Sequence, residues 1–399
     1  MKTEIIFSHP AKQGTMYHRA LAAQEAGLGI TFLTGMYFGD GILAKSIESR
    51  VIPRFFSGLM RRRNQSGLAS SNVRILPSSV MAECFFRPLG RIREWDTVHD
   101  ISASNWLLRR HLPGRAVFYG VQGSSRRTLR AAQRMGLTTL YEVTVAAPGG
   151  RYVDARLEAD TVRELECADY VLSLSEFTHD WLISLGVSRS RIVPFPVGSD
   201  TDLFSPSRQS PDRVFRLLFV GRVLERKGVD VLFRAWSRLA LPDSELLLVG
   251  RATADDISRL SRIAANTKFT FAGFCPHYDL PRHYRSASAF VLPSYAEGDP
   301  NVVHEAISSG LPCIVSTAAR SVVRDGIEGL VCEPGNVESL MDCIWRLYND
   351  ASLRRQMGER ARRRAEEFSW PSFRRRLGGM FQALIRDEDL SKFLLDAPP

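Results

Sequence analysis

Two stretches of the chain carry side chains whose types and spacing suit a ligand rich in phosphate and hydroxyl groups. The first is "SYAEGDPNVVHEAISSGLP", Ser294 to Pro312, where Glu297 and Glu305 stand eight positions apart around the turn "GDPN". Asp299, Pro300 and Asn301 read as a helix N-cap and first turn, with proline in its favoured place. The helix then runs to Gly310, and its free N-terminal amides face whatever binds there. Carboxylates accept well from the paired hydroxyls of sugars and riboses. As plain structure, Glu297 caps the helix and Glu305 pairs with a nearby cation, and this stretch alone does not separate the two readings. The second stretch is "FVGRVLERKGVDVL", residues 219–232. A strand ends at Gly221, Arg222 follows at once, and Lys227 and Gly228 lead into a helix. Two cations at a strand's carboxyl end, beside a helix start, fit a diphosphate. Lys227 is the more informative because only six of the 53 basic residues are lysine. No GK[ST] closes a P-loop here, and no G-x-G-x-x-G follows the first strand, which disfavours a dinucleotide oxidoreductase.

The elements that must position these residues alternate along the chain. "EIIFSHP", "GITFLTGMYF", "RAVFYG" and "LTTLYEVTV" read as strands, separated by helical patterns such as "TMYHRALAAQEAG" and "SSRRTLRAAQRMG". A second series, "RLLFVG", "SELLLVG", "KFTFAG", "AFVLPS", "CIVST" and "GLVCE", follows a Ser-, Asp- and Pro-rich linker at 197–215. Alternating strands and helices predict parallel sheets covered by helices. At 399 residues the chain is too long for one ordinary core. Two doubly wound α/β halves are the economical architecture, and in such sheets ligands sit beyond the carboxyl ends of the strands. The predicted division is an N-terminal domain over 1–200, a ligand-binding domain over 201–375, and a C-terminal helix and tail over 376–399 packing back on the first domain.

The order of these motifs resembles a known family. "FVGRVLERKG", then "EGDPNVVHE" some 70 residues on, then "EAISSGLPCIVST", "GIEGLVCEPGNVESL" and "FSW" are similar to the C-terminal half of family 4 glycosyltransferases of GT-B fold. The likeness spans roughly residues 170–375, and rests before that on "HPAKQGTMYHRALAAQEAG" standing where the family has a Gly-rich first loop. The resemblance implies two Rossmann-like domains facing across a cleft. It implies transfer of a sugar, with retention, from a nucleotide-diphosphate sugar to an acceptor hydroxyl on a glycan, a lipid-linked sugar or a small molecule. Arg222 and Lys227 would hold the diphosphate, Glu297 the donor sugar and Glu305 the ribose. The amides of Asn301 and Val302 would meet the distal phosphate, with Gly298, Asp299, Gly221 and Gly14 also against substrate. The two cations would replace a divalent metal, so no metal and no cofactor is expected, and the base is left open. The stretches 249–256 and 272–279 would border that base. Polysaccharide, glycolipid or glycoside assembly are the settings implied. A sugar-nucleotide epimerase, a phosphorylase and a non-catalytic scaffold are the competing readings.

The acceptor side departs from the family. Many relatives carry a histidine in an N-domain loop, and the comparable "YEVTVAAPGG" has none. Glu142 is a candidate substitute. His99 in "DTVHD" is a second candidate, although that segment reads as a strand end, and His18 reads as a helix-surface residue unless it lines the cleft. The net charge of +10 suits anionic partners. "RVIPRFFSGLMRRRNQSG" mixes Phe55, Phe56, Leu59 and Met60 with arginines, which suits either a core-packed helix with a charged end or a membrane-surface contact through 50–63. No nucleic-acid motif accompanies the basic stretches. Six scattered cysteines fit neither a disulfide framework nor a zinc site. The N-terminus reads as a first strand rather than a signal peptide, and no apolar run reaches the ~20 residues of a membrane span. The expected location is cytoplasmic, peripheral at the inner membrane face.

Overall fold

The computed structural model describes residues 3–10, 16–35, 37, 67–112, 115–146, 152, 155–207, 214–264, 267–388, 390 and 393. Gly14, the stretch 50–63 and most of the C-terminal tail lie outside these residues.

Seven short apolar runs form the first sheet: β1 (Glu4–Ser8), β2 (Gly29–Thr34), β3 (Val73–Ile75), β4 (Ala116–Val121), β5 (Thr138–Val143), β6 (Tyr170–Ser173) and β7 (Ile192–Pro194). Six form the second: β8 (Phe215–Val220), β9 (Ser244–Val249), β10 (Phe269–Gly273), β11 (Ala289–Leu292), β12 (Cys313–Ser316) and β13 (Gly329–Cys332). The orders are β3-β2-β1-β4-β5-β6-β7 and β10-β9-β8-β11-β12-β13, and neighbouring strands pair in parallel. Runs such as Ala289–Leu292 are buried throughout because helices cover both faces.

The helices of the first domain are α1 (Tyr17–Glu25), α2 (Pro77–Phe86), α3 (Ile92–Leu108), α4 (Arg126–Arg134), α5 (Ala155–Leu165) and α6 (Glu176–Ser184). Those that follow are α7 (Val229–Leu239), α8 (Ala254–Ile263), α9 (Pro281–Arg285), α10 (Asn301–Ser308), α11 (Val337–Asn349), α12 (Ala351–Glu367) and α13 (Trp370–Arg386). Apolar residues from β8 to α12 join in one core cluster. The first sheet has a core on each face, one shared with α1 and α13, the other with α3 and α4.

The chain crosses between domains twice, side by side. The Ser199 amide donates to the Phe368 carbonyl (2.9 Å) and the Trp370 amide to the Ser199 carbonyl (3.0 Å). The return crossing therefore falls near 368–370, ahead of the boundary at 376 drawn from sequence. From there α13 lays Phe373, Leu377, Met380 and Phe381 against Phe7, Tyr17 and Ala20 of the first domain. The Trp370 ring stacks on His18 at 3.8 Å with the planes 7° apart. His18 is thus not a free surface residue. Burial, then the neighbouring Arg374 and Arg19 cations, push its pKa down to about 3.

Candidate active site

β8 lies between β9 and β11, so the order of the second sheet reverses at β8, and sheets of this kind have their crevice beyond the carboxyl ends of the strands at such a reversal, here β8 and β11. Both singled-out stretches lie on the loops that leave these two strands. After Gly221 the chain makes a short 3-10 turn, Glu225–Lys227, and enters α7 through Gly228 in the left-handed region, φ +68°. A Cβ on Gly228 would lie 2.0 Å from the Pro293 carbonyl oxygen, so only glycine lets the two loops touch. The Tyr295 amide donates to the Arg226 carbonyl at 2.8 Å and joins them further.

This contact brings the charges together. Lys227 Nζ lies 2.5 Å from Glu297 Oε1, and Arg226 Nη1 lies 3.1 Å from Glu297 Oε2. Arg226 also donates to the Ala296 carbonyl. Glu297 is 6% exposed. Burial pulls the Lys227 ammonium below its ordinary pKa, and Glu297 pushes back. Arg222 is exposed, with no hydrogen-bond or ion-pair partner among the described residues. Nothing in the sequence singles out Arg226 beyond its place beside Lys227 in "ERKG".

Glu305 is equally buried, at 6%. Its Oε2 accepts from the Tyr284 hydroxyl at 2.8 Å, and its Oε1 lies 3.1 Å from His277 Nε2. His277 stands exposed after β10, with its ring edge-on to Phe204 at 5.2 Å. Burial first, and Glu305 second, raise the Tyr284 pKa well above its usual value, so its hydroxyl remains a donor. Asn301, exposed, and Val302, half-buried, open α10, where amides lack intrahelical acceptors.

Asp299 departs from the expectation of an N-cap facing substrate. The cap position is Pro300, with no side-chain cap. The Asp299 carboxylate is fully buried; it accepts from the Val197 amide at 2.7 Å and from the Ser321 hydroxyl, and lies 2.8 Å from His304 Nε2. A deep-lying carboxylate needs such partners. The side chain thus ties the start of α10 to the interdomain linker instead of pointing at a ligand. Glu297 does not cap the helix either.

Across the cleft, Gly298 meets the first domain. A Cβ there would lie 1.9 Å from the Thr144 carbonyl oxygen. The Thr144 loop is held by Gln122, whose Oε1 accepts from the Thr144 and Val145 amides at 3.0 and 2.9 Å. Tyr152 stacks on Tyr295 at 4.6 Å. Beside Gln122, the buried Glu164 accepts from the Gly123 and Ser125 amides (3.0 and 3.1 Å) and from the Tyr141 hydroxyl (2.5 Å). Burial, resisted by these hydrogen bonds, raises its pKa to about 7.

Neither acceptor-side candidate is available. Glu142 is buried in a bidentate pair with Arg19 (2.8 and 3.0 Å) and also accepts from Tyr119. His99 lies inside α3 rather than at a strand end, buried with Nδ1 2.9 Å from Ser79 Oγ and Nε2 3.2 Å from Ser8 Oγ.

Residues 214–350 match the family "Glycosyl transferases group 1". A D-inositol 3-phosphate glycosyltransferase of Corynebacterium aurimucosum is 30% identical over 50% of this chain and 53% of its own length. The O-antigen chain mannosyltransferase B of Escherichia coli is 29% identical over 55% of this chain and 61% of its own. The chain thus spans about half the length of the curated relatives it matches. Among solved structures, the sucrose-phosphate synthase of Thermosynechococcus elongatus superposes with a TM-score of 0.69 at 21% identity, over 97% of this chain and 100% of that one. HepE of Anabaena, solved in complex with UDP, gives 0.67 at 16% identity, over 96% and 100%.

Proposed function

We propose that this chain, whose fold is GT-B, is a retaining, metal-independent glycosyltransferase of family 4 that moves a sugar from a nucleotide-diphosphate sugar to an acceptor hydroxyl in glycan or glycolipid assembly. The observation that carries the proposal is the meeting of Lys227, Arg226 and Glu297 at the crevice beside β8 and β11, with Glu305 farther along α10.

In this reading the diphosphate lies over Lys227 and Arg222 and against the first amides of α10. Glu305 accepts from the ribose hydroxyls. Glu297 contacts the donor sugar and opposes the burial that lowers the Lys227 pKa. As the bond to the anomeric carbon breaks, negative charge grows on the leaving diphosphate. Fixed cations and helix amides stabilise it most in a closed cleft poor in water. The match of 214–350 to glycosyl transferases group 1 supports the donor half. The HepE complexes, which contain UDP and UDP-glucose, make uridine donors the first to test.

Thermal-shift screening against UDP-, GDP-, ADP- and TDP-sugars tests the donor site. A bound donor at a hundredfold excess over its dissociation constant stabilises by ~2.7 kcal/mol. A clear rise in melting temperature with one donor class is expected, and no shift with any of them contradicts the assignment.

A further inference from the structure

The outer surface of the first domain has a feature that donor chemistry does not use. Of the fourteen large apolar side chains exposed among the described residues, seven fall between residues 75 and 108. Met81 (73% exposed) and Phe85 (64%) share one face of α2, and Leu89 (61%) caps the turn into α3. Ile101 and Leu108 continue the row along α3. α2, α3 and α4 pack side by side in that order, so these residues belong to one layer, on the face of the sheet opposite α13.

α4 borders the apolar row with cations. Arg127, Arg130 and Arg134 recur at helical spacing beside an open groove of ≈ 380 Å³, whose other wall includes Ile101 and Leu108. At the far end of α3, Arg109 and Arg110 line a second groove, of ≈ 470 Å³. Some arginines elsewhere pair with acids, as in Arg93–Asp160, Arg216–Glu245, Arg238–Glu338 and Arg324–Glu328, while others such as Arg222 do not. None of the five arginines named on α4 and after α3 has an acidic side-chain partner among the described residues. Asp100 is buried beneath α4 and accepts from the Arg127 and Thr128 amides (2.7 and 3.0 Å); the Arg127 charge acts on it without a guanidinium hydrogen bond.

We propose that the α2–α3–α4 face is a docking surface for an anionic phospholipid bilayer. The arginines lie at headgroup phosphates, and Met81, Phe85 and Leu89 enter the interface beside them. Cations without an acidic ion-pair partner among the described residues, next to solvent-exposed apolar side chains, fit a surface that is anionic outside and apolar just beneath. A nucleic acid would use the cations but leave the apolar row in water.

The test is flotation of the full chain with phosphatidylcholine vesicles, with and without phosphatidylglycerol. Binding is expected only to the anionic vesicles and weakens as salt rises. Arg127→Glu, Arg130→Glu and Arg134→Glu together lower partitioning on the order of a hundredfold, at roughly fivefold per basic residue near an anionic surface. Melting temperature and nucleotide-sugar hydrolysis stay unchanged. Phe85→Ser with Leu89→Ser also weakens binding, through apolar contact alone. Failure of the wild type to float with anionic vesicles overturns the proposal, as does unchanged binding of the triple-arginine variant. Duplex DNA bound more tightly than the vesicles, through the same three arginines, overturns it in favour of a nucleic-acid surface.

Discussion

Glu305 keeps one oxygen on Tyr284 and the other beside exposed His277; under the proposed function a ribose hydroxyl would replace the His277 contact. Glu305→Gln preserves shape but removes the charge, and hydrogen bonds to charged groups contribute about 1.5–3 kcal/mol. The KM for donor should rise roughly 10- to 100-fold, with kcat less affected, in initial-rate kinetics. A second residue-scale prediction concerns pH. Glu164 has its pKa raised from 4.5 to about 7, so between these values the folded state holds a proton that the unfolded chain has lost. Its contribution to stability is full below about pH 4.5 and is lost as pH rises through about 7. His18 acts oppositely: lowered from 6.5 to about 3, it contributes above 6.5 and loses that contribution as pH falls. Urea unfolding should therefore show Glu164→Gln gaining stability relative to wild type as pH rises from 4.5 to 7. A constant difference across that range would remove Glu164 as the titrating group. Residue type and spacing draw attention to Glu297, Glu305 and Lys227 in the sequence, but only the resemblance, carried by both stretches together, implies a role for each. Asp299 was not, because its carboxylate turns toward an amide 102 positions earlier in the chain.

At the scale of elements, the loop before α10 touches the first domain through a residue without a side chain. Gly298→Ala puts a methyl group 1.9 Å from the Thr144 carbonyl oxygen, and the domains must separate or the loop must move. Misplacing catalytic groups by about 1 Å can cost on the order of 10²-fold in rate. Turnover should fall by about that factor while nucleotide binding to the second domain survives. Unchanged turnover would show that the contact does not set the productive geometry. Most strands of the two sheets were readable because parallel strands buried on both faces are short apolar runs between helical patterns; β3 was not, because only Val73 of its three residues is buried. The segment around His99 differs from the strand end that the sequence suggests because "DTVHD" alone does not reveal that it lies inside the 17-residue helix α3. The N-cap failed because the proline took the cap and freed Asp299 to turn inward.

For the whole molecule, two parallel sheets reverse their strand order at the same relative place, and the adjacent crossings with α13 join them. The start of α13 at Trp370 was hidden in sequence because helical pattern runs almost unbroken from α12 through Ser369, and only packing shows where it changes domain. The meeting of "FVGRVLERKG" with "EGDPNVVHE" follows from this topology, since it makes β8 and β11 neighbours. The most direct test of a nucleotide-sugar donor site is release of nucleoside diphosphate from a panel of nucleotide sugars, by wild type and by Lys227→Ala, with chelator present. One donor class should be hydrolysed slowly by the wild type, and Lys227→Ala should be slower on the order of 10²–10³-fold, as when a single transition-state donor is lost. No release from any donor, or equal release by the variant, would contradict the assignment of this crevice as the site of transfer.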